Sequence, residues 1–475
     1  MLRDRAGLSI CRAAAAALLA TPACVTYQPR PLRPETTAAV LEARRLDGSA
    51  LRGCMEAQAG GTIAPWPPAA WGLRELTGAA FCLSPELAGA RAALATAQAA
   101  LVTAGARQEP ALAITAERQS NAEHGVSPWT VGPAFDIPLT TAGKREIRSA
   151  RARNLAEAAR LDVLAAAWAV RSRVRAALVE ARAGERLTGA LRAEADARRA
   201  VLASLEVQRA AGAIPAPEVA TARAELESLE IEMVAEESGI ALARVALAAA
   251  IGVQVEALRQ VVVSAELPEL PGSPAGAAER ATALQTRYDV LAALARYEAS
   301  QDDLRLAIAG QYPDLHLGPG FLWDQGASRW QLGLALALPL LERNRGPIGE
   351  AEARRAEAGA HMEAVQARVI AAVDAATAEL DAAAALSASA DALIATNRTL
   401  AEAARQSLAA GETTRLDVLL ADAGVQRGRR VRMEAWRSAQ QALGALEDAL
   451  QRPLAGEPLP PSPSAAAKEE ELARP

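Results

Sequence analysis

The sequence predicts a mainly α-helical chain with a small β part, built as an internal tandem repeat. Three observations carry that prediction. The 475 residues are 51% hydrophobic but only 3% aromatic, and alanine, the best helix former and a small packer, supplies most of the apolar content. Two proline-free runs, Lys144 to Ala211 and Ile348 to Ala410, are long enough for coiled-coil-like helices of roughly 100 Å at 1.5 Å rise per residue. Two short stretches interrupt the helical pattern with strict period-two alternation, the mark of a strand with one apolar face.

The strand stretches are explicit. Trp330, Leu332, Leu334, Leu336 and Leu338 fall on one face, with Gln331, Gly333, Ala335 and Ala337 on the other. Just before them, Leu315, Leu317, Pro319, Phe321 and Trp323 alternate with His316, Gly318, Gly320 and Leu322, and Asp324 to Ser328 reads as the turn. An earlier copy sets Trp129, Val131, Pro133, Phe135 and Ile137 against Thr130, Gly132, Ala134 and Asp136. The copies stay in step over long distances. Ser84 with Arg287, Pro110 with Pro313, and Gly143 with Gly346 are 203 residues apart; Trp129 with Trp330 and Pro138 with Pro339 are 201 apart; Gly212 with Gly411 are 199 apart.

Taken in order, residues 1–23 have the plan of a secretory signal, with Arg3 and Arg5 before the apolar run Ala13 to Ala20. Cys24 follows. The region resembles a bacterial lipoprotein signal, whose cysteine becomes the lipidated first residue; ordinary cleavage after Ala23 would leave the same cysteine unmodified. Residues 24–83 form an N-terminal extended and helical segment, with helix expected over Thr36 to Arg45 and from Trp71. Repeat one covers 84–252: a helix, a hairpin at about 111–139, the long helix, a turn at 212–217, and a helix to Ile251. Residues 253–278 read as a linker, with a short strand at Val261 to Val263. Repeat two covers 279–452, with its hairpin at about 314–340 and its turn at 411–417. Residues 453–475 are rich in proline, alanine and glutamate and read as a disordered tail. After the signal, no window of about 20 apolar, uncharged residues offers a transmembrane helix.

Composition narrows the function. The net charge of −5 comes from 51 basic and 56 acidic residues, so nothing points to nucleic acid. The three histidines, His124, His316 and His361, stand far apart, so no metal site or cofactor is expected. No nucleophile, base and acid arrangement suggests an enzyme. Acidic residues at helical spacing with arginine read as solvated faces. Cys54 and Cys82 are candidates to pair in an oxidising compartment, although sequence alone does not bring them together.

The doubled order of helix, hairpin, long helix, tight turn and helix resembles the TolC-type outer-membrane efflux channels. The local texts agree: Pro110-Ala111-Leu112 and Pro313-Asp314-Leu315 enter the strands, Phe135 to Leu139 and Leu336 to Leu340 leave them, and Arg343-Asn344-Arg345-Gly346 opens the second long helix. Cys24 with Tyr27 and Pro29, and the texts at Thr141 to Arg145 and Trp66 to Trp71, resemble the lipoprotein branch paired with heavy-metal pumps. The resemblance implies a homotrimer whose four strands per chain make a twelve-stranded transmembrane β-barrel, continued by a helical α-barrel in the periplasm. It implies a periplasmic adaptor and an inner-membrane transporter as partners, and outer-membrane lipid around the barrel. It places the two tight turns at the periplasmic end, closed at rest. Asp417 then matches an aperture aspartate, Leu420 stands where a second would be, and Glu218 is the equivalent in repeat one. Both carboxylates also read as first-turn residues that favour the positive end of a helix. Gly212 and Gly411 are turn glycines that permit positive φ. A soluble coiled-coil scaffold or adaptor is the rival, which the lipid-like strand faces oppose.

Overall fold

The computed structural model describes residues 25–120, 126–264, 277–338 and 342–454. The signal region, Cys24, most of the linker, Pro339 and the tail from residue 455 lie outside the described residues. The chain divides into residues 1–44 and 45–475. The first unit holds one described helix, α1 (Pro34–Glu42), which has proline in its first turn and no buried residue.

The second unit begins with α2 (Ser49–Ala59) and α3 (Leu73–Leu83). It continues through α4 (Pro85–Gly105), β1 (Ala111–Arg118), β2 (Trp129–Leu139), α5 (Lys144–Ala210) and α6 (Ala216–Ile251). After α7 (Val255–Arg259) and α8 (Ala277–Thr286) come α9 (Tyr288–Ala309), β3 (Leu315–Asp324), β4 (Ala327–Leu336), α10 (Arg345–Ala410) and α11 (Arg415–Leu450). The block of helix, hairpin, long helix and helix therefore occurs twice. Helices α5 and α10 contain 67 and 66 residues, roughly 100 Å each.

Local chemistry fixes the ends. Pro85 opens α4, and Ser84 Oγ accepts a hydrogen bond from Leu87 N at 3.4 Å. Gly252, at φ +88°, closes α6 in the left-handed conformation. Helix α3 starts two residues later than Trp71, because Glu75 Oε2 accepts from Gly72 N at 3.0 Å and sets the cap there. The short strand expected at Val261 to Val263 is a single parallel bridge between Trp71 and Val263, held by Trp71 N to Val262 O at 2.8 Å and Ser264 N to Trp71 O at 2.9 Å. Trp71, the partner in that bridge, is fully buried. Among the described residues, α4 is long and apolar enough to cross a membrane by length and composition. An uncharged-window criterion rejects it because of Glu86 and Arg91. Its hydropathy is mostly alanine, and it packs on α5.

Helix α5 is the hub, in contact with α3, α4, α6, α9 and α11. One core joins Leu46, Trp71, Leu76, Leu87, Val170, Val174, Leu178 and Ile251; another joins Val290, Val365, Val369, Val373, Leu446 and Leu450. The α5–α11 contact departs from the expectation that charges line solvated faces. The Glu447 side chain is 1% exposed, with Oε2 at 3.1 Å from Arg171 Nη1 and 3.2 Å from Arg175 Nε. Next to it, Trp168 Nε1 donates to Asp448 Oδ1 at 3.0 Å, and Ser172 donates to the other oxygen. Burial pushes the Asp448 carboxyl above its ordinary range despite those bonds. Gly444 makes room for the pair, since a Cβ there would stand 2.2 Å from Arg175 Nη1.

Cys54 on α2 and Cys82 on α3 form a disulfide, with Cα atoms 6.2 Å apart and a sequence separation of 28. Closing a loop of that length contributes about 3.6 kcal/mol by restricting the unfolded chain. Replacing both cysteines with serine is therefore expected to lower stability by about that amount, read as a lower unfolding midpoint in detergent. Wild-type protein treated with reductant should fall to the same midpoint.

Candidate functional site

The four strands form one antiparallel sheet in the order β1-β2-β3-β4. The two hairpins, far apart in sequence, are joined by β2 pairing with β3. The β3–β4 turn narrows to Gln325 and Gly326, at φ +53° and +102°, the left-handed pair that matches the twist of a two-residue hairpin. Strand β4 ends at Leu336, two residues before the alternation does. Trp129 begins β2 and Trp323 nearly ends β3, but Trp330 lies four residues into β4, opposite Phe321 with ring centroids 5.0 Å apart.

Register places every apolar row on the same face. Leu112 opposes Phe135, Ile114 opposes Pro133, Val131 opposes Trp323, Ile137 opposes Leu317, and Leu317 opposes Leu334. Ile114, Trp330, Leu332 and Leu334 are 71%, 84%, 73% and 62% exposed, far more apolar surface than a water-soluble sheet presents. The opposite face carries Ala113, Thr115, Thr130, Gly132, Ala134, Gly318, Gly320, Gln331 and Gly333, with a few charges. There Thr130 Oγ1 donates to Asp324 Oδ1 at 2.6 Å, Arg329 lies 3.0 Å from Asp324, and His316 Nδ1 lies 2.9 Å from Asp136 Oδ1. One face suits lipid and the other water. Among the described residues the outer edges of β1 and β4 have no strand partner.

At the inner end of the sheet, the start of α5 is tied to the start of β3. Lys144 Nζ sits 2.9 Å from Asp314 and donates to Tyr312 O at 2.7 Å, while Thr141 N donates to Asp314 at 2.9 Å. The sheet and the helical part thus meet at a fixed joint between the repeats.

The far ends of the helices also converge. Val201 and Leu205 of α5, Val219 of α6 and Ala423 of α11 share a buried cluster with Ile214, Leu416 and Leu419 packed on it, so the two tight turns lie side by side. Gly212 and Gly411 have φ of +75° and +77°. Asp417 lies inside the first turn of α11 rather than in the loop. Its Oδ2 accepts from Thr413 Oγ1 at 2.7 Å, Thr414 Oγ1 at 2.6 Å and Thr414 N at 2.9 Å, while Thr414 Oγ1 accepts from Asp417 N. This reciprocal capping box holds the carboxyl at about 2, chiefly through the Thr413 and Thr414 hydroxyls. Glu218 occupies the first turn of α6 behind Pro215, where no side chain caps the helix. Among the described residues no three His, Cys, Asp or Glu side chains are grouped to hold a metal ion.

A sheet with one lipid face, one aqueous face and two open edges, continued by helices of this length, is a segment of a membrane-channel wall. The model of the outer membrane efflux protein family matches residues 76–253 and 280–451, and the chain belongs to that family. A search of curated proteins gives no match. Among solved structures the chain is similar in fold to the outer membrane protein VceC of Vibrio cholerae, at 24% identity and TM-score 0.65, covering 80% of this chain and 96% of that one. It is similar to the CmeC outer membrane channel of Campylobacter jejuni, at 16% identity and TM-score 0.64, covering 84% and 88%. The open state of the MtrE outer membrane channel of Neisseria gonorrhoeae matches at 18% identity and TM-score 0.64, covering 81% and 90%. The protein is an outer-membrane channel of a tripartite efflux system, with its helices in the periplasm; a soluble scaffold is not favoured.

Two outcomes test this geometry. At Gly132, an added Cβ would lie 1.8 Å from Phe321 O, a backbone atom, whereas at Gly318 the nearest atom is 3.5 Å away. Gly132→Ala is expected to cost more than about 1–3 kcal/mol and to reduce the yield of folded protein, while Gly318→Ala is tolerated; unfolding in detergent measures both. For Asp417 the folded carboxyl titrates at about 2, below the ordinary value near 4. The cap's contribution is therefore complete above about pH 4 and is lost as pH falls through about 2. In Asp417→Ala, amide exchange at residues 414–418 should be faster at neutral pH and should lack that acid transition.

Proposed function

We propose that three copies of the chain close a twelve-stranded barrel, four strands from each, with β4 of one copy pairing β1 of the next. The open edges and the exposed apolar face support this reading, because neither is stable in one chain alone. The helical part supports it too: α10 leaves Leu386, Leu393 and Leu400 exposed at seven-residue spacing, and α6 leaves Ile231, Val234, Leu242 and Val245 exposed. Such seams suit coiled-coil packing against a neighbouring copy. The assembly is a passive conduit. A periplasmic adaptor docks around the turns at Gly212 and Gly411, and an inner-membrane transporter supplies energy and chooses the cargo. Lipid on Cys24 anchors the mature N-terminus. Residues 84–252 and 279–452 act as the two repeats of each protomer, on either side of the linker.

At the closed end, Glu218 and Asp417 contribute two carboxylates per chain, six in the trimer. A carboxylate ring around a narrow mouth favours cations. The capping bonds on one oxygen of Asp417 leave its negative charge in place, so the cap and the ring are compatible roles. The test uses the full chain extracted from the outer membrane in detergent. It should run as a heat-labile trimer and form channels in planar bilayers, and Asp417→Ala with Glu218→Ala should lower cation preference at least about twofold. A detergent-independent soluble protein would refute the channel. Channels with unchanged conductance and selectivity would refute the ring alone.

A further inference from the structure

The aqueous face of the sheet sorts its charges into two levels. Toward the β3–β4 turn, Glu117 opposes Thr130, Thr130 opposes Asp324, and Arg329 pairs with Asp324. Next comes a neutral level of Ala113, Ala134, Gly320 and Gln331, which are successive cross-strand partners. Toward the helical end, within the described strands, His316 of β3 pairs with Asp136 of β2, with Nδ1 at 2.9 and 3.2 Å from the two carboxylate oxygens. Both side chains are about half exposed, at 45% and 56%.

The surroundings isolate this pair. Asp136 opposes Ala111 on β1; His316 opposes Pro138 on β2 and Ala335 on β4; Gly318 opposes Gly333. Among the described residues of β1, β2 and β4 no other ionisable side chain opposes the pair, and Glu109, two residues before Ala111, lies just beyond the start of β1. Asp314, two residues before His316, is taken by Lys144 and Thr141. Arg329 lies at the other level, on Asp324. The small residues on the facing strands leave the pair standing into the water side.

We propose that Asp136 is a cation-selectivity residue of the barrel wall and that His316 sets its effective charge. The proposal rests on the trimeric channel reading, which places three such pairs at one level around the lumen. With a neutral imidazole each pair carries one net negative charge and enriches cations near the wall. Histidine changes charge between about pH 5 and 8. An imidazolium at 2.9 Å cancels the carboxylate, so the belt becomes neutral as pH falls. The effect is bounded by screening, which limits the belt's influence to about 8 Å of the wall at physiological salt, and the change is therefore severalfold at most.

The test measures reversal potentials of the full-length trimer in planar bilayers under a KCl gradient. For the wild type, the potassium-to-chloride permeability ratio should fall about twofold between about pH 8 and about pH 5. His316→Gln should abolish that fall while keeping the ratio found at the higher pH. Asp136→Asn should lower the ratio at the higher pH and flatten the profile, and Asp136→Glu should restore both. Heat-labile trimer mobility confirms that each variant is assembled. The proposal is overturned if His316→Gln keeps the wild-type pH profile, or if the profile follows Asp417→Ala instead, and channel function would survive either result. Absence of channels from the wild type would instead overturn the reading on which the proposal rests.

Discussion

Hydrocarbon offers no hydrogen bonds, so every backbone N–H and C=O at membrane depth must find a partner in protein. Each unsatisfied group costs several kcal/mol. Among the described residues the sheet meets most of that requirement at its three internal seams and leaves it unmet along the outer edges of β1 and β4. Most of the remaining structure answers to this constraint. The apolar rows must coincide on one face, so register must be held across two hairpins that lie far apart in the chain. The Lys144–Asp314 joint and the close approach of Gly132 to Phe321 hold it. Pro133 and Pro319 lie within the strands despite their missing N–H, and the β2–β3 ladder skips Gly132 and Pro133 and again Phe135 and Asp136.

Much of the fold was legible in the sequence because its signals are local. Period-two alternation marks a strand whatever it later pairs with, and proline-free alanine runs mark long helices. The repeat was legible through fixed offsets between glycines, prolines and tryptophans. Pairing between β2 and β3 was not, since no local pattern says which hairpin edges meet. Helix α2 was hidden by Gly53 and by its lack of a side-chain cap. The disulfide was only a candidate, because 28 residues of separation do not determine a distance. The buried ion pair is not legible in the sequence, for a physical reason. Arg171 and Arg175 have the four-residue spacing of an exposed helix face, and only the arrival of α11 turns that face inward.

The site residues show the same division. Gly212 and Gly411 declare themselves through the turns they allow. Asp417 was visible as a first-turn carboxylate, but its capping partners Thr413 and Thr414 had no place in the sequence reading, although a threonine three residues before an aspartate is a recognisable cap. His316 and Asp136 drew no attention as a pair, because they are 180 residues apart and meet only through the β2–β3 seam. That seam unites the halves of the chain and also creates the His316–Asp136 contact.

The doubled architecture has a consequence for symmetry. Each chain supplies two similar wall units, so a threefold assembly has six nearly equivalent places around its axis, and only alternate ones are chemically identical. Duplication within one gene frees the halves to diverge where a true hexamer could not. The turns already differ: Thr414 and Asp417 lock the start of α11 with reciprocal bonds, while α6 begins behind Pro215 with no side-chain cap. One set of three turns is chemically latched and the other is not. In the proposed trimer the turns would therefore form an alternating ring, whose two classes can respond separately to the same push.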